Sequence, residues 1–209
     1  MPETPADSLE ERVRWNVAEH VEIVAHDPAW AQSFATEKAH LLTCLPAELI
    51  QRIEHFGSTA VPGLAAKPIV DMLVEVTDLE SAKTRIAPIL QAQGYDYYWR
   101  PNFGDDVPPW YAWFVKRDAS GARTHHIHMI ENTPEFAEFF DRLLFRDYLI
   151  AHPEVAREYA ELKMRLSRDF PNDRVAYTEG KTKFIVDVTR LAKRDRSGEG
   201  EAPAEPFPS

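Results

Sequence analysis

Two carboxylates interrupt an otherwise apolar stretch in the first half of the chain. Asp71 and Glu75 lie within residues 69–76, whose composition predicts a β-strand. Because side chains alternate along a strand, both carboxylates face one side, opposite an apolar row formed by Val70, Met72, Val74 and Val76. A buried carboxylate without a partner costs several kcal/mol, so Asp71 requires a hydrogen-bonding partner, a metal ion or solvent.

The turn before this strand carries residue types that bind phosphate. Gly57 and Ser58 follow a predicted strand at residues 50–56, and Lys67 precedes the carboxylate strand. A tight glycine turn offers backbone N–H groups and a hydroxyl to a phosphate, and a strand that then aims a carboxylate completes a metal–nucleotide site. The alternative is an ordinary surface turn. Neither a Walker P-loop nor a G-x-G-x-x-G fingerprint is present.

Histidines alternate on another predicted strand, at residues 123–130. His126 and His128 face one side, expected to be the open one, whereas His125 and its neighbours face the core. Two imidazoles at this spacing can share a metal ion or contact a phosphate. They converge with Asp71 only if the two strands are adjacent, which the sequence leaves open. The alternatives are a solvated strand or the histidine-triad hydrolases, although their third histidine is replaced by Ile130.

The second half of the chain supplies further candidate phosphate ligands. Arg142 and Arg146 lie four residues apart on a predicted helix and therefore share a face. Both arginines can hold phosphates or pair with Asp and Glu, and for Arg142 we expect the pairing. Lys181, four residues after Tyr177 on the last predicted helix, can reach a triphosphate; the alternative is a solvated charge.

The predicted elements form a mixed sheet followed by a helical half, which indicates an α+β (α/β-like) fold. Strands are predicted at residues 50–56, 69–76, 95–100, 110–116 and 123–130, and helices at 28–44, 79–93, 134–151, 154–170 and 174–192. We expect a flexible segment at residues 1–20, one domain at 21–193 and a disordered tail at 194–209.

Composition narrows the classes of partner. The net charge of −10 argues against an extended nucleic-acid surface, although a local basic cluster can still bind a small anion. The single cysteine, Cys44, excludes an intramolecular disulfide. No apolar run has the length of a membrane span, and the acidic N-terminus does not look like a secretory signal. We therefore expect a cytoplasmic protein with no membrane partner.

Several motifs, in order, resemble the GrpB-like proteins, a branch of the nucleotidyltransferase superfamily. They are HFGSTAVPGLAAKPIVDMLV from His55, HIHM from His126, LLFRDYLIAHPEVAREYAELK from Leu143 and YTEGKTKFI from Tyr177. The resemblance extends from about Val21 to Lys193.

The resemblance implies the nucleotidyltransferase fold, a small mixed sheet flanked by helices. In that superfamily a Gly-Ser pair at a short helix grips the triphosphate, and a following strand supplies two carboxylates for two magnesium ions. Gly57 and Ser58, with the adjacent Thr59, match the first feature, and Asp71 matches the second. The second carboxylate position holds Leu73, which leaves Glu75, roughly 6–7 Å further along the strand, as its substitute.

The resemblance implies a nucleotidyltransferase that binds a nucleoside triphosphate and transfers a nucleotidyl group to an unknown small-molecule or protein acceptor. The predicted catalytic residues are Asp71 and Glu75, and the metal ligands are Asp71, His126 and His128. The predicted nucleotide ligands are Gly57, Ser58, Thr59, Lys67, Arg146 and Lys181. The cofactor is a divalent metal, Mg or Mn, with Zn also compatible with the histidines. One alternative is an inactive binding module of the same fold, linked to coenzyme A metabolism; a second is a metal-dependent phosphoesterase.

Overall fold

A mixed five-stranded sheet forms the centre of the protein, seen in a computed structural model that describes residues 21–102 and 107–197. Its strands are β1 (Ile50–Phe56), β2 (Val70–Val76), β3 (Asp96–Pro101), β4 (Trp110–Arg117) and β5 (Arg123–Ile130). The spatial order is β1-β2-β5-β4-β3, with β2 and β5 parallel and the other neighbours antiparallel. The predicted α+β fold with a small mixed sheet is confirmed.

Helices flank this sheet and make up the second half. They are α1 (Ala29–Cys44), α2 (Leu79–Ser81, a π-helical turn at Ala82–Ile86, then Ala87–Gln91), α3 (Ala137–Ala151), α4 (Pro153–Asp169) and α5 (Arg174–Ser197). Asp27 caps α1, since its Oδ1 accepts a hydrogen bond of 2.9 Å from the Ala29 N–H. In α2 the π-helical turn lies just before Pro88, whose missing N–H interrupts the α-helical hydrogen bonds.

The two faces of the sheet are covered by different helices. One face packs in the main core with α1, as expected for the apolar row of β2; Met72, Val74 and Ile127 are fully buried there. His125 lies on this side too, with its Nε2 3.1 Å from Ser33 Oγ on α1. The opposite face, which carries Asp71, is covered by the helical half. A second apolar cluster joins the loop after β1 to α3, α4 and α5.

The described part of the chain has no helix that is both long and apolar enough to cross a membrane. The last helix continues to Ser197, so residues 194–197, predicted to begin a disordered tail, are helical. The predicted flexible segment at residues 1–20 and the rest of the tail lie outside the described residues.

Candidate functional site: a basic cavity between the sheet and the helical half

The structure supplies the strand adjacency that the sequence left open. β2 and β5 run parallel, with Asp71 beside His126 and Leu73 beside His128. His126 Nδ1 lies 3.2 Å from Asp71 Oδ1, within reach of a hydrogen bond to the carboxylate. The partner that a mid-strand aspartate requires is therefore an imidazole on the neighbouring strand.

Gly57 lets the backbone approach the same carboxylate closely. Its φ is +73°, and a Cβ at this position would lie 2.5 Å from Asp71 Oδ2. Glycine is required there both for the positive φ and for the contact. The chain then forms a 3₁₀ turn at Ser58–Ala60, in agreement with the short helix that the resemblance implies after Gly57. The turn and the carboxylate thus form one unit.

A buried lysine that sequence reasoning missed holds this turn in place. Lys163 on α4 is 2% exposed, and its Nζ donates to Ser58 Oγ at 2.9 Å and to the Ala65 carbonyl at 2.5 Å. Burial, with a smaller contribution from the charge of Lys181, lowers the pKa of Lys163 to about 7. Helical spacing could have indicated that Lys163 is buried. It lies four residues after Tyr159 and three before Leu166, and all three share the buried face of α4.

A cavity of about 300 Å³ opens over Ser58 and Asp71. Its walls carry six cationic side chains and one carboxylate. The cations are Lys67, Arg100, Arg142, Lys163, Arg174 and Lys181, and the carboxylate is Asp71. Because the whole chain has a net charge of −10, this local excess of positive charge marks a place that favours anions.

The pKa of Lys181 is affected by burial and by several neighbouring charges. The pKa of Lys181 is lowered to about 8, mainly by burial; the Asp71 charge opposes this shift, whereas the charges of Lys67 and Arg174 add to it. Its Nζ also lies 4.7 Å from the centre of the Tyr177 ring. An anion bound beside Lys181 would stabilise its charged form. The structure therefore brings Gly57 and Lys181, both predicted ligands, to the region of Asp71.

Two predicted site residues lie elsewhere. Glu75 shares the face of Asp71, yet it does not line the cavity, and its Oε2 lies 4.0 Å from Arg52 Nε on β1. Arg146 donates to Glu54 Oε2 at 3.1 Å and to the His55 carbonyl at 2.6 Å, which ties α3 to β1. Both side chains are engaged in pairs with β1, so the structure does not group them with the predicted phosphate site.

Thr59, His126 and His128 line the cavity, but their surroundings differ from those predicted from the sequence. The Thr59 hydroxyl donates to the Ile69 carbonyl at 3.2 Å and lies 3.0 Å from His55 Nε2, so it is engaged within the protein. The expectation that His126 and His128 lie on an open face is wrong, since they are only 8% and 9% exposed. The helical half covers this face.

His128 lies among aromatic rings. Its ring is 5.6 Å from Tyr111 in a stacked arrangement and 5.4 Å from Phe56 in an edge arrangement. Burial lowers the pKa of His128 well below its ordinary value, so the ring is neutral. Within the described residues, no three His, Cys, Asp or Glu side chains are placed to hold a metal ion. Asp71, His126 and His128 therefore do not assemble into the predicted three-ligand site.

A larger cavity of about 690 Å³ adjoins the basic one, between α3 and α5. The two cavities share a wall formed by Phe56, Ser58, Asp71, Arg142, Thr178 and Lys181. The rest of its lining is mixed, with aromatic and aliphatic side chains such as Phe145 and Ile185, and charges that are paired, as in Lys193 Nζ–Asp141 Oδ2 at 2.6 Å. Asp71 thus lines both the basic cavity and the larger cavity with its mixed lining.

These features define an α+β domain in which a mixed sheet and a helical half enclose a basic cavity beside one carboxylate. The chain belongs to the GrpB protein family, whose sequence profile matches residues 20–191. It is 39% identical over 182 residues to the UPF0157 protein YqkA of Bacillus subtilis, covering 87% of this chain and 50% of that protein. It is 34% identical over 167 residues to the glutamate-rich protein GrpB of Alkalihalophilus pseudofirmus, covering 79% of this chain and 92% of the relative.

Solved structures include a relative with the same fold. The crystal structure of the conserved protein GrpB from Enterococcus faecalis superposes with a TM-score of 0.70 and 30% identity, covering 84% of this chain and 99% of that chain. Cid1 in complex with the UTP analog UMPNPP aligns at a TM-score of 0.39 and 12% identity, over 76% of this chain and 48% of Cid1. The chain is also 27% identical to a dephospho-CoA kinase of Mycolicibacterium paratuberculosis. This match covers 82% of the present chain and 46% of the kinase. It spans about half the length of the B. subtilis relative.

Proposed function

We propose that this protein binds a nucleoside triphosphate through its phosphates in the basic cavity and transfers the nucleotidyl group to an acceptor. The observation that carries the proposal is the convergence of six cationic side chains on a cavity beside Asp71 and the Gly57–Ser58 turn. A triphosphate carries several negative charges, and Lys and Arg in an enclosed site offset them more strongly than they would in water.

The residues around Asp71 fit one divalent cation better than two. Mg²⁺ is commonly held by one or two carboxylates together with the phosphates of the substrate. Asp71 Oδ1 lies against His126 Nδ1, and Oδ2 lies beside the Gly57 turn that leads into Ser58. Leu73, at the place of a second carboxylate, is 1% exposed and belongs to the core. We therefore infer a single metal site at Asp71, at which a bound ion would neutralise charge on the phosphates.

The protein's own groups would position the reactants for transfer. Ser58, held by Lys163, and Lys181 hold the phosphates, and His126 orients the Asp71 carboxylate. The acceptor's nucleophilic atom forms a bond to the α-phosphorus while the bond to the β-phosphate oxygen breaks. Pyrophosphate leaves, and the acceptor's proton passes to solvent. The adjoining larger cavity gives the acceptor access to the same carboxylate.

The test compares two carboxylates on the same face of β2. We expect calorimetry to show binding of at least one of ATP, CTP, GTP and UTP in Mg²⁺ or Mn²⁺, with the metal dependence lost in Asp71→Asn and retained in Glu75→Gln. Metal-dependent turnover, followed as pyrophosphate release with candidate acceptors, should likewise disappear only in Asp71→Asn. Undiminished turnover in Asp71→Asn would refute the assignment of the carboxylate.

A second function, binding without catalysis, is favoured by one observation. Leu73 is buried in the place of a second carboxylate, and Glu75 is paired with Arg52. A module of this kind would hold a phosphorylated ligand without consuming it. Because one relative is a dephospho-CoA kinase, coenzyme A is a ligand to include in the same calorimetric series. Binding with no turnover for any acceptor would support this second function.

A further inference from the structure

Three buried ring nitrogens on the sheet side of the basic cavity have no hydrogen-bond partner within the described residues. They are Trp113 Nε1, His126 Nε2 and His128 Nδ1, which we call the sheet-wall nitrogens. All three residues line the cavity, and Trp113, His126 and His128 are 4%, 8% and 9% exposed. Buried polar atoms are nearly always paired in folded proteins, so three unpaired nitrogens along one cavity wall indicate an absent partner.

The sheet places these rings together. Trp113 lies on β4, directly opposite His128 on β5, and His126 lies two residues before His128. The Trp113 ring centre is 5.2 Å from that of His126 and 6.1 Å from that of His128. The three rings therefore form one continuous part of the cavity wall.

The chemistry of the sheet-wall nitrogens is mixed. The Trp113 indole can only donate a hydrogen bond. In the tautomer whose Nδ1–H donates to Asp71 Oδ1, the Nε2 of His126 carries the lone pair and can accept a hydrogen bond. A phosphate oxygen matches Trp113 but offers nothing to His126. The edge of a heterocycle or of a carboxamide offers both an acceptor and a donor.

We propose that two of the sheet-wall nitrogens, Trp113 Nε1 and His126 Nε2, bind the edge of a neutral heterocycle or carboxamide. Trp113 donates to a ring nitrogen or carbonyl oxygen of the ligand, and His126 accepts from its amino or N–H group. This inference rests on the proposed function, in which the phosphates lie against the cations of the helical half. The polar edge belongs either to the base of the nucleotide or to the acceptor.

The experiment follows the indole N–H signal of Trp113 by ¹⁵N NMR in the full chain. The chain has five tryptophans, so single Trp→Phe variants assign each signal, and Trp113 is assigned by elimination if its own variant does not fold. The probes are adenosine, cytidine, guanosine, uridine and nicotinamide, which carry no phosphate, and tripolyphosphate, which carries no base. We expect at least one of the uncharged probes to shift the Trp113 signal.

The binding affinities of these probes then distinguish a site for the edge of a base from a site for an anion. Trp113→Phe should weaken binding of the uncharged probe by about threefold to tenfold, the loss of one hydrogen bond, and leave tripolyphosphate binding unchanged. Trp99→Phe is the control, because Trp99 lies on β3 outside the cavity lining. No shift with any uncharged probe, or an equal loss for tripolyphosphate in Trp113→Phe, would overturn the proposal; Arg100, 5.1 Å from the Trp113 ring, would then mark an anion site.

Competition identifies the source of the edge. Displacement of the uncharged probe by saturating ATP assigns the site to the base of the nucleotide, and simultaneous binding assigns it to the acceptor. If the uncharged probe shifts Trp113 but neither tripolyphosphate nor any triphosphate binds, the proposed function fails while this inference stands.

Discussion

The buried amine of Lys163 should make the stability of the protein depend on pH in a defined interval. The pKa of Lys163 lies at about 7 in the folded chain, against an ordinary value of 10.5. The unfolded chain therefore binds more protons than the folded chain between these values, and the free energy of unfolding rises with pH at about 1.4 kcal/mol per unit. From pH 7 to 9.5 the contribution of Lys163 is about 3 kcal/mol.

Lys163→Met removes this titration, so the free energy of unfolding of the variant should rise by about 3 kcal/mol less than that of the wild type over the same interval. Urea unfolding followed by circular dichroism at pH 7, 8, 9 and 9.5 measures the difference. Lys181 acts in the same direction in both proteins, so the difference between them reports mainly on Lys163 and its interaction with Lys181. The interval stops at pH 9.5 because buried tyrosines with raised pKa values, such as Tyr177 at about 12, lower stability above pH 10.

Lys183→Met is the matched control, since Lys183 is 85% exposed on α5. Its pH dependence should follow that of the wild type. Parallel curves for wild type and Lys163→Met would refute the reasoning, because a solvated amine has no pKa shift to lose.

Two further predictions concern the loop and strand around Asp71. Gly57→Ala should destabilise the protein by about 2 kcal/mol more than Gly63→Ala, measured by urea unfolding, because both have positive φ but only Gly57 would bring a Cβ within 2.5 Å of Asp71 Oδ2; equal losses would contradict the contact. Burial lowers the pKa of His55 to about 4, so the unfolded chain binds an extra proton between about pH 6.5 and 4, and stability should fall as the pH decreases through this interval. The fall should be smaller in His55→Gln, and an unchanged fall would show that other groups cause it.

Local patterns predicted the elements well because strands and helices depend on nearby residues. Alternation predicted both ends of β1 and β5, and it put Asp71 and His126 each on the side of its own strand opposite the core-facing row. The last helix extends five residues beyond its predicted end at Ala192, through a polar stretch whose composition resembles a tail. Composition alone does not distinguish an exposed helical end from a disordered segment.

The site was harder to predict because it depends on long-range contacts. The parallel pairing of β2 and β5 brings Asp71 to His126, and no local signal specifies that adjacency. Lys163 resembles a surface charge in the sequence, yet tertiary packing buries it against the loop after β1. Arg146 illustrates the opposite case. Arginine is suited to binding phosphate, but here its guanidinium donates to Glu54 on β1. Charge and spacing identify candidates, and only the fold assigns their partners.

The division of the cavity between the sheet and the helical half has a consequence for folding. The carboxylate and the turn come from β2 and the loop before it, whereas Lys163 and Lys181 come from the last two helices. Contacts between residues so far apart in sequence close large loops and form late. A partly made chain therefore has the carboxylate with Lys67 and Arg100, but without Lys163 and Lys181. Any anion that binds this cavity recognises the completed fold alone, and it stabilises the native state by RT ln(1 + [L]/Kd).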